Sequence, residues 1–251
     1  MQTEIKIERR IENYWDERSK DFSHVRRLEL SGADCLAWEK IITQHLPQKN
    51  NLKILDVGTG AGFFAILLSK LGHEVIGVDR STKMLREAKK NSAELNLRAE
   101  FLRMDAQNLN FPNETFDVVI SRNLTWTLPD VVQAYREWRR VLKIGGVLMN
   151  FDSDYGDKDF TNKKTCAKGE VNDEMLIECQ NIKDSLRIST HRRPIWDINF
   201  LSSSGFQVQC DFDISTLVHK DESLSYDLIP LFAIYAKKYQ SRIKKKIKLI
   251  K

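Results

Sequence analysis

The chain offers little with which to build a covalently stapled or metal-held fold. Its four cysteines, Cys35, Cys166, Cys179 and Cys210, are scattered and show no CxxC spacing. That pattern argues against a disulfide framework and a zinc site, so no metal is expected and the thiols read as reduced, in a cytoplasmic protein. No run approaches the roughly 18 uninterrupted apolar residues that cross a bilayer. The first ten residues are charged and lack the apolar core of a secretory signal. Internal repeats are absent as well. Acidic residues are missing from residues 237–251, which hold eight Lys/Arg; the whole chain is +5, so the other 236 residues carry −3. A mildly acidic body with a basic end does not support a nucleic-acid-binding surface. The tail reads as a solvated terminus, with weak contact to an anionic membrane surface as its alternative use.

What is present is a regular alternation of apolar strands and helices. At 251 residues, 41% apolar and 30% charged, the chain fits one α/β domain of the larger kind with a small cap. The rest is organised around Ile54-Leu55-Asp56-Val57-Gly58-Thr59-Gly60-Ala61-Gly62-Phe63-Phe64. A short apolar strand, residues 52–57, runs into three glycines spaced two apart. An apolar helix follows to Leu71, where Gly72 supplies the stop. Strand, glycine loop and helix in this order let a backbone approach a ligand closely at a helix N-terminus. Seventeen residues past Gly62, a second apolar strand ends in Asp79, placed to accept hydrogen bonds from both hydroxyls of a ribose.

Upstream, residues 4–22 read as an amphipathic helix with Ile7, Ile11, Tyr14, Trp15 and Phe22 as its apolar members. Ser31 is the expected N-cap of a second helix, stopped by Pro47. Downstream, the pattern predicts a helix from Ser81 to about Leu95, strands over 99–103 and 116–121, and a helix opened by Pro129. Gly145-Gly146 is the expected turn into a fifth strand over 147–151. This alternation predicts a doubly wound, mostly parallel sheet. Periodicity fails from 152 to 190, where Asp152, Asp154, Asp157 and Asp159 cluster and only 171–188 looks helical. That stretch reads either as an insertion over the ligand-binding edge or as a mobile surface excursion. A helix from Pro194 to about Ser204 and strands over 206–212 and 228–236 complete the chain.

The glycine loop alone leaves two cofactor classes open. A dinucleotide site wants G-x-G-x-x-G, and Phe63 stands where the third glycine of that pattern belongs. Asp56, two residues before the first glycine, is repelled by a pyrophosphate and suits a cationic neighbour such as an ammonium or a sulfonium.

The stretch Ile54-Leu55-Asp56-Val57-Gly58-Thr59-Gly60-Ala61-Gly62 resembles the first motif of the class I S-adenosylmethionine (SAM)-dependent methyltransferases. Val78-Asp79-Arg80-Ser81-Thr82-Lys83-Met84-Leu85 follows in the family's order, then Asp105-Ala106-Gln107-Asn108-Leu109 with Phe111-Pro112, then Phe116-Asp117-Val118-Val119. Arg139-Arg140-Val141-Leu142-Lys143-Ile144-Gly145-Gly146 is similar to the family's R-V-L-K-P-G-G, with Ile144 replacing proline. Ser121-Arg122-Asn123-Leu124 is similar to the matching segment of ubiquinone/menaquinone-type small-molecule methyltransferases. The resemblance covers roughly residues 10–151 and, weakly, 195–238. It implies SAM as cofactor and a seven-stranded sheet with its last strand antiparallel. It further implies that Gly58, Thr59, Gly60 and Gly62, with Asp56, line the methionine moiety. Asp79 would take the ribose and Met84 would lie against the adenine. Asp105 and Ala106 would bond the adenine edge, and Arg122 and Asn123 would touch the methionine side.

Methyl transfer from a sulfonium is an in-line displacement that proceeds by positioning and needs no nucleophile. A general base is needed only for an acceptor that must lose a proton, and His191 and His24 are the candidates. The loop Asn123-Leu124-Thr125-Trp126 lacks the N-P-P-Y type sequence of enzymes acting on planar exocyclic amines. Tyr14, Trp15 and Trp126 are expected to form an aromatic cage against the acceptor, with core packing as the alternative role. The expected function is methyl transfer to an O, N or C atom of a small-molecule acceptor. The alternatives are a SAM- or nucleotide-binding regulator without turnover and an NAD-dependent oxidoreductase. One domain is expected: a helical lid (1–47), a cofactor-binding core (48–151), an insertion or cap (152–193), the end of the sheet (194–239) and the basic tail (240–251).

Overall fold

A computed structural model describes residues 2–97, 99–162, 172–221, 224 and 228–240. The expected basic tail from 241 on, and residues 163–171 of the expected insertion with Cys166, lie outside the described residues. Seven strands form one sheet: β1 (Lys53–Val57), β2 (Glu74–Asp79), β3 (Glu100–Arg103), β4 (Phe116–Arg122), β5 (Leu142–Ser153), β6 (Phe206–Asp211) and β7 (Leu231–Lys238). Their order is β3-β2-β1-β4-β5-β7-β6. Pairings from β3 to β5 are parallel, and β7 runs antiparallel to both β5 and β6. The expected doubly wound sheet with an antiparallel last strand is therefore present. The helices are α1 (Gln2–Ser31), α2 (Ala33–His45), α3 (Phe63–Lys70), α4 (Thr82–Glu94), α5 (Val131–Val141), α6 (Asp173–Ser185), α7 (Ile195–Ser203) and α8 (Ser215–Val218). Among the described residues no helix is long and apolar enough to cross a membrane.

Successive strand residues point to opposite faces, and both faces are covered. Ile54, Val118, Ile120, Met149 and Phe151 enter one core, with Trp38 of α2 and Phe64 and Leu67 of α3. Leu55, Val57, Val119, Leu148 and Ile234 enter the other, with Tyr135 and Trp138 of α5. This is why β1 and β4 read as continuous apolar runs.

Three expected boundaries move. The first helix does not end near residue 22 but runs to Ser31, whose hydroxyl donates to the carbonyls of Arg27 and Leu28. Ser31 thus closes α1, and Gly32, in extended backbone, caps α2. Pro129 does not open α5; Asp130 caps it by accepting from the Gln133 N–H at 2.9 Å, a bond that proline cannot make. Gly145-Gly146 is not a turn before the fifth strand, because β5 already begins at Leu142. Its register against β4 jumps between the Phe116–Leu142 and Val118–Val147 pairs. The extra residues bulge out with Gly145 at φ +80°, and Lys238 Nζ donates to the freed Leu142 carbonyl at 2.6 Å.

The described part of 152–193 packs inward rather than forming a surface excursion. Tyr155, Phe160, Cys179, Ile182, Leu186 and Ile188 all join the α5-side core. None of the three described cysteines is in a disulfide.

Candidate active site

The glycine loop leaves β1 and turns back over β2, where the Gly58 and Thr59 N–H groups donate to the Val78 carbonyl at 2.8 and 3.0 Å. Gly58 has φ +68°, and a Cβ there would meet the Leu124 side chain at 2.7 Å. Only glycine allows that loop and the loop after β4 to close on each other. Gly62 is needed for a different reason. It caps α3 at φ +91°, and a Cβ would press on Ala88, Ile66 and Phe101.

Two carboxylates organise the strand ends. Asp79 accepts the Gly60 N–H on one oxygen (2.9 Å) and the Ser81 N–H on the other (2.8 Å). Burial pushes its carboxyl up to about 6 against those bonds. Asp56 is 2% exposed, and its Oδ2 accepts from Thr59 Oγ1 at 2.6 Å and from the Ala65 N–H at 3.1 Å. Burial pushes Asp56 up to about 7, with the Thr59 and Ala65 bonds opposing it. Its geometry is that of a brace fixing the glycine loop to the start of α3.

These loops surround one cavity at the carboxyl ends of β1 to β4, the usual crevice for ligands in open α/β sheets. Asp56, Gly58, Thr59, Gly60, Asp79, Met84, Asp105, Ala106, Arg122 and Asn123 all stand in its wall. Gly62, the eleventh residue expected there, does not. Asp105 accepts from Arg80 (3.1 Å) and from the Gln107 N–H (2.8 Å). Arg122 donates both terminal nitrogens to Glu29 at 3.0 and 2.9 Å and lies 4.6 Å over the Trp38 ring. Burial alone would raise Glu29, but the Arg122 and Arg26 guanidiniums hold it below the usual carboxylate range. Asn123 sits in left-handed backbone, φ +52°, with its N–H on the Phe151 carbonyl and its buried Oδ1 without a partner among the described residues.

The roof is α1, which sends Ile11, Glu12, Trp15, Phe22 and Arg26 into the wall. Of these only Trp15 was among the expected site residues; apolar periodicity flagged Ile11 and Phe22, but nothing local marks which helix face meets a cavity. The helix is tied down by Glu8 to Arg80 (2.8 Å), Glu12 to Arg103 (2.6 Å) and Arg10 to Glu178 (2.8 Å). Asp16 also accepts from the Ser81 hydroxyl.

The expected aromatic cage does not form around the cavity. Tyr14 is buried in the core, and Trp126 turns inward against Tyr155 and Phe160 at 4.8 and 5.4 Å. The three rings do touch in series, Tyr14 to Trp15 at 5.2 Å and Trp15 to Trp126 at 6.4 Å. His24 is exposed on α1 and outside the cavity wall. His191 lies in a neighbouring groove, stacked on Trp196. Neither histidine stands in the cavity. Among the described residues no group of acidic, histidine or cysteine side chains is placed to hold a metal ion.

Known proteins are similar to this chain in sequence and fold. Residues 55–150 match the family model described as a methyltransferase domain. The demethylmenaquinone methyltransferase of Staphylococcus saprophyticus is 36% identical over 115 residues, covering 45% of this chain and 49% of that protein. An uncharacterized methyltransferase of Bacillus subtilis, YcgJ, is 27% identical over 201 residues, covering 80% of this chain and 70% of that one. The chain thus spans about half the length of the demethylmenaquinone methyltransferases it matches. Among solved structures, phosphoethanolamine N-methyltransferase 2 of Haemonchus contortus, in complex with SAM, superposes with a TM-score of 0.64 at 17% identity. The match covers 92% of this chain and 60% of that one. At that identity the likeness shows the fold. Residues 55–150 thus match a methyltransferase domain, and the chain has the fold of the SAM-bound methyltransferase on which it superposes.

Proposed function

We propose that the chain is a SAM-dependent methyltransferase that transfers a methyl group to an O, N or C atom of a small-molecule acceptor. The observation that carries this reading is the convergence of the glycine loop, Asp79 and the Asp105-Ala106 pair on one roofed cavity, within the stretch that matches the methyltransferase domain. Asp79 takes the ribose hydroxyls, because each of its oxygens keeps a lone pair beyond the Gly60 and Ser81 bonds. Met84 and Leu128 pack the adenine, and Asp105 with the Ala106 N–H bonds its edge. Gly58, Thr59, Gly60 and Asn123 hold the methionine moiety, and the open Asn123 Oδ1 accepts from its ammonium. Asp56 and Arg122 act mainly by holding the wall, and Trp15 excludes water from the transferred methyl.

SAM, when bound, supplies the electrophilic methyl group. The chain's own contribution is orientation under the α1 roof, with no nucleophile required. A quinone-precursor acceptor is one class that the names of several relatives favour. The comparisons do not favour a nucleotide-binding regulator or an NAD-dependent oxidoreductase. Cytoplasmic location is supported by the three described cysteines, none of which is in a disulfide. Calorimetry with S-adenosylhomocysteine (SAH) and with NAD tests the cofactor: SAH binds and NAD does not. Methyl-labelled SAM incubated with a metabolite extract tests turnover, and a protein that binds SAH yet labels nothing would be the regulator.

A further inference from the structure

Part of the cofactor cavity's wall is carried by the stretch after β4, through Leu124, Thr127, Leu128 and Pro129. Leu124 meets the glycine loop with no slack, since a Cβ on Gly58 would lie 2.7 Å from its side chain. These residues are aimed by the 3-10 turn Thr125–Thr127. By itself the turn is a weak element. Two backbone bonds close it, from the Thr127 N–H to the Leu124 carbonyl at 2.9 Å and from the Leu128 N–H to the Thr125 carbonyl at 3.5 Å. Its N-cap, Leu124, offers no side-chain bond. The shape of the turn is therefore imposed from outside.

What imposes it is a buried polar cluster with Thr125 Oγ1 as its hub. This hydroxyl donates to Asp152 Oδ2 and accepts from Arg193 Nη2 at 2.7 Å and from Asn150 Nδ2 at 3.3 Å. One donated and two accepted bonds are all that a hydroxyl can make. Asp152 Oδ2 also takes the Trp126 N–H at 3.1 Å, and Asp197 orients Arg193 through bonds of 2.9 and 2.8 Å. All five side chains of the cluster are buried, and none of them stands in the cavity wall. A buried ion cluster is a poor route to stability, because apolar groups of the same volume do as well or better. Directional bonds do what apolar packing does not: they fix one arrangement of the turn.

We infer that Thr125 and Arg193 are positioning residues for the cofactor: from behind the wall they hold Leu124 and Leu128 in place around it. The inference rests on the methyl-transfer reading, which puts SAM in the cavity. It also gives the tract after β5 a role at the site other than covering it. Asp152 and Arg193 act on the cavity through Thr125, without reaching it.

The test uses the full chain and two measurements, SAH calorimetry and amide exchange. Thr125→Val keeps the side chain's volume and leaves the Arg193–Asp197 pair in place, but removes the hub. Its SAH affinity should fall about tenfold, the effect of losing a hydrogen bond to charged groups. Thr125→Ser restores the hydroxyl and should bind SAH as the wild type does. Arg193→Lys keeps the charge but not the fork that reaches Thr125 and Asp197 together, and should act in the same direction as Thr125→Val. Phe206→Leu, a core change in β6 at the far edge of the sheet, should lower the melting midpoint and leave SAH affinity unchanged. In the nitrogen-15-labelled chain, the Trp126 amide of Thr125→Val should exchange about tenfold faster than in the wild type, taken relative to Val119 in β4. Wild-type SAH affinity in Thr125→Val or Arg193→Lys, an equal loss in Thr125→Ser or Phe206→Leu, or an unchanged exchange ratio would each overturn the inference. A wild-type chain that binds no SAH would overturn the methyl-transfer reading and the cofactor role of the turn with it, whereas the exchange ratio decides separately whether Thr125 holds the turn.

Discussion

Asp79 and Asp56 end neighbouring strands, yet their oxygens are used differently. Asp79 spreads one backbone N–H over each oxygen and keeps acceptor capacity toward the cavity. Replacing it with Asn should weaken SAH binding about 10- to 100-fold, the worth of one charged hydrogen bond, with a cooperative unfolding transition retained; unchanged calorimetric affinity would remove the ribose role. Asp56 accepts both of its bonds, from Thr59 of the loop and Ala65 of α3, on a single oxygen. Its carboxyl is raised to about 7 in the fold from an ordinary value of 3.8. The folded chain therefore keeps this proton longer than the unfolded chain. The resulting stabilisation is complete below about pH 4 and is lost as pH rises through about 7. Asp56→Asn removes that dependence. The stability difference, wild type minus Asp56→Asn, should fall between pH 4 and 7 by at most about 1.4 kcal/mol per pH unit. Urea unfolding at the two ends of that range measures it, and a difference that stays flat would contradict the assignment. The strand-end position of both acids, and the expectation that Asp79 meets a ribose, are legible in the sequence; the use of Asp56 as a brace is not.

Among the elements, the 3-10 turn at Thr125–Thr127 depends most on distant residues. Asp152 Oδ2 accepts the Trp126 N–H at 3.1 Å and also the Thr125 hydroxyl. Fully buried Arg193 donates to Thr125 at 2.7 Å, to Asp197 at 2.9 and 2.8 Å and to Asp152 at 3.3 Å. Tyr135 donates to Asp197 at 2.7 Å. Arg193→Ala would strand two buried carboxylates, at a cost of about 3 to 5 kcal/mol; a denaturation midpoint within experimental error of wild type would show the network to be dispensable. Asp152 and Asp154 look like solvated insertion residues in the sequence, because nothing local announces Arg193, 41 and 39 positions later. The α1 roof poses the opposite case. Its ties to Arg80, Arg103 and Glu178 are part-exposed, with side chains 22–59% accessible. Such pairs are weak and screened by salt. Raising salt from about 0.05 M to about 0.5 M should speed SAH release a few-fold in stopped-flow chase experiments. A salt-independent rate would mean that α1 does not gate the cavity.

At the scale of the whole molecule, the ligand joins parts that are far apart in the chain. The cavity draws on α1, on four strand ends and on the loop before α5. A compound that bridges them binds the folded chain and not the unfolded one. SAH at about 100 times its Kd should add about 2.7 kcal/mol of stability. For a chain of this size that corresponds to a rise in melting temperature of about 5 to 10 °C. NAD at the same concentration should give no shift; an equal shift with NAD would point to a dinucleotide site.

The sequence by itself determined the alternation of strands and helices, burial of the sheet on both faces, the glycine loop with Asp79 after the second strand, and the last strand's direction through the family resemblance. Those signals act within a few residues: a period of two or of 3.6, a cap, a turn. Only the tertiary structure decided that α1 runs unbroken to Ser31 and roofs the cavity, and that Gly62 caps α3 behind the cavity wall. It alone decided that Trp126 packs inward and that Arg193 lies buried among carboxylates. Each of these depends on partners brought together across the chain, Arg10 with Glu178 over 168 positions and Arg193 with Thr125 over 68. Local patterning fixes which elements form; the charge and volume left over at their ends fix the site.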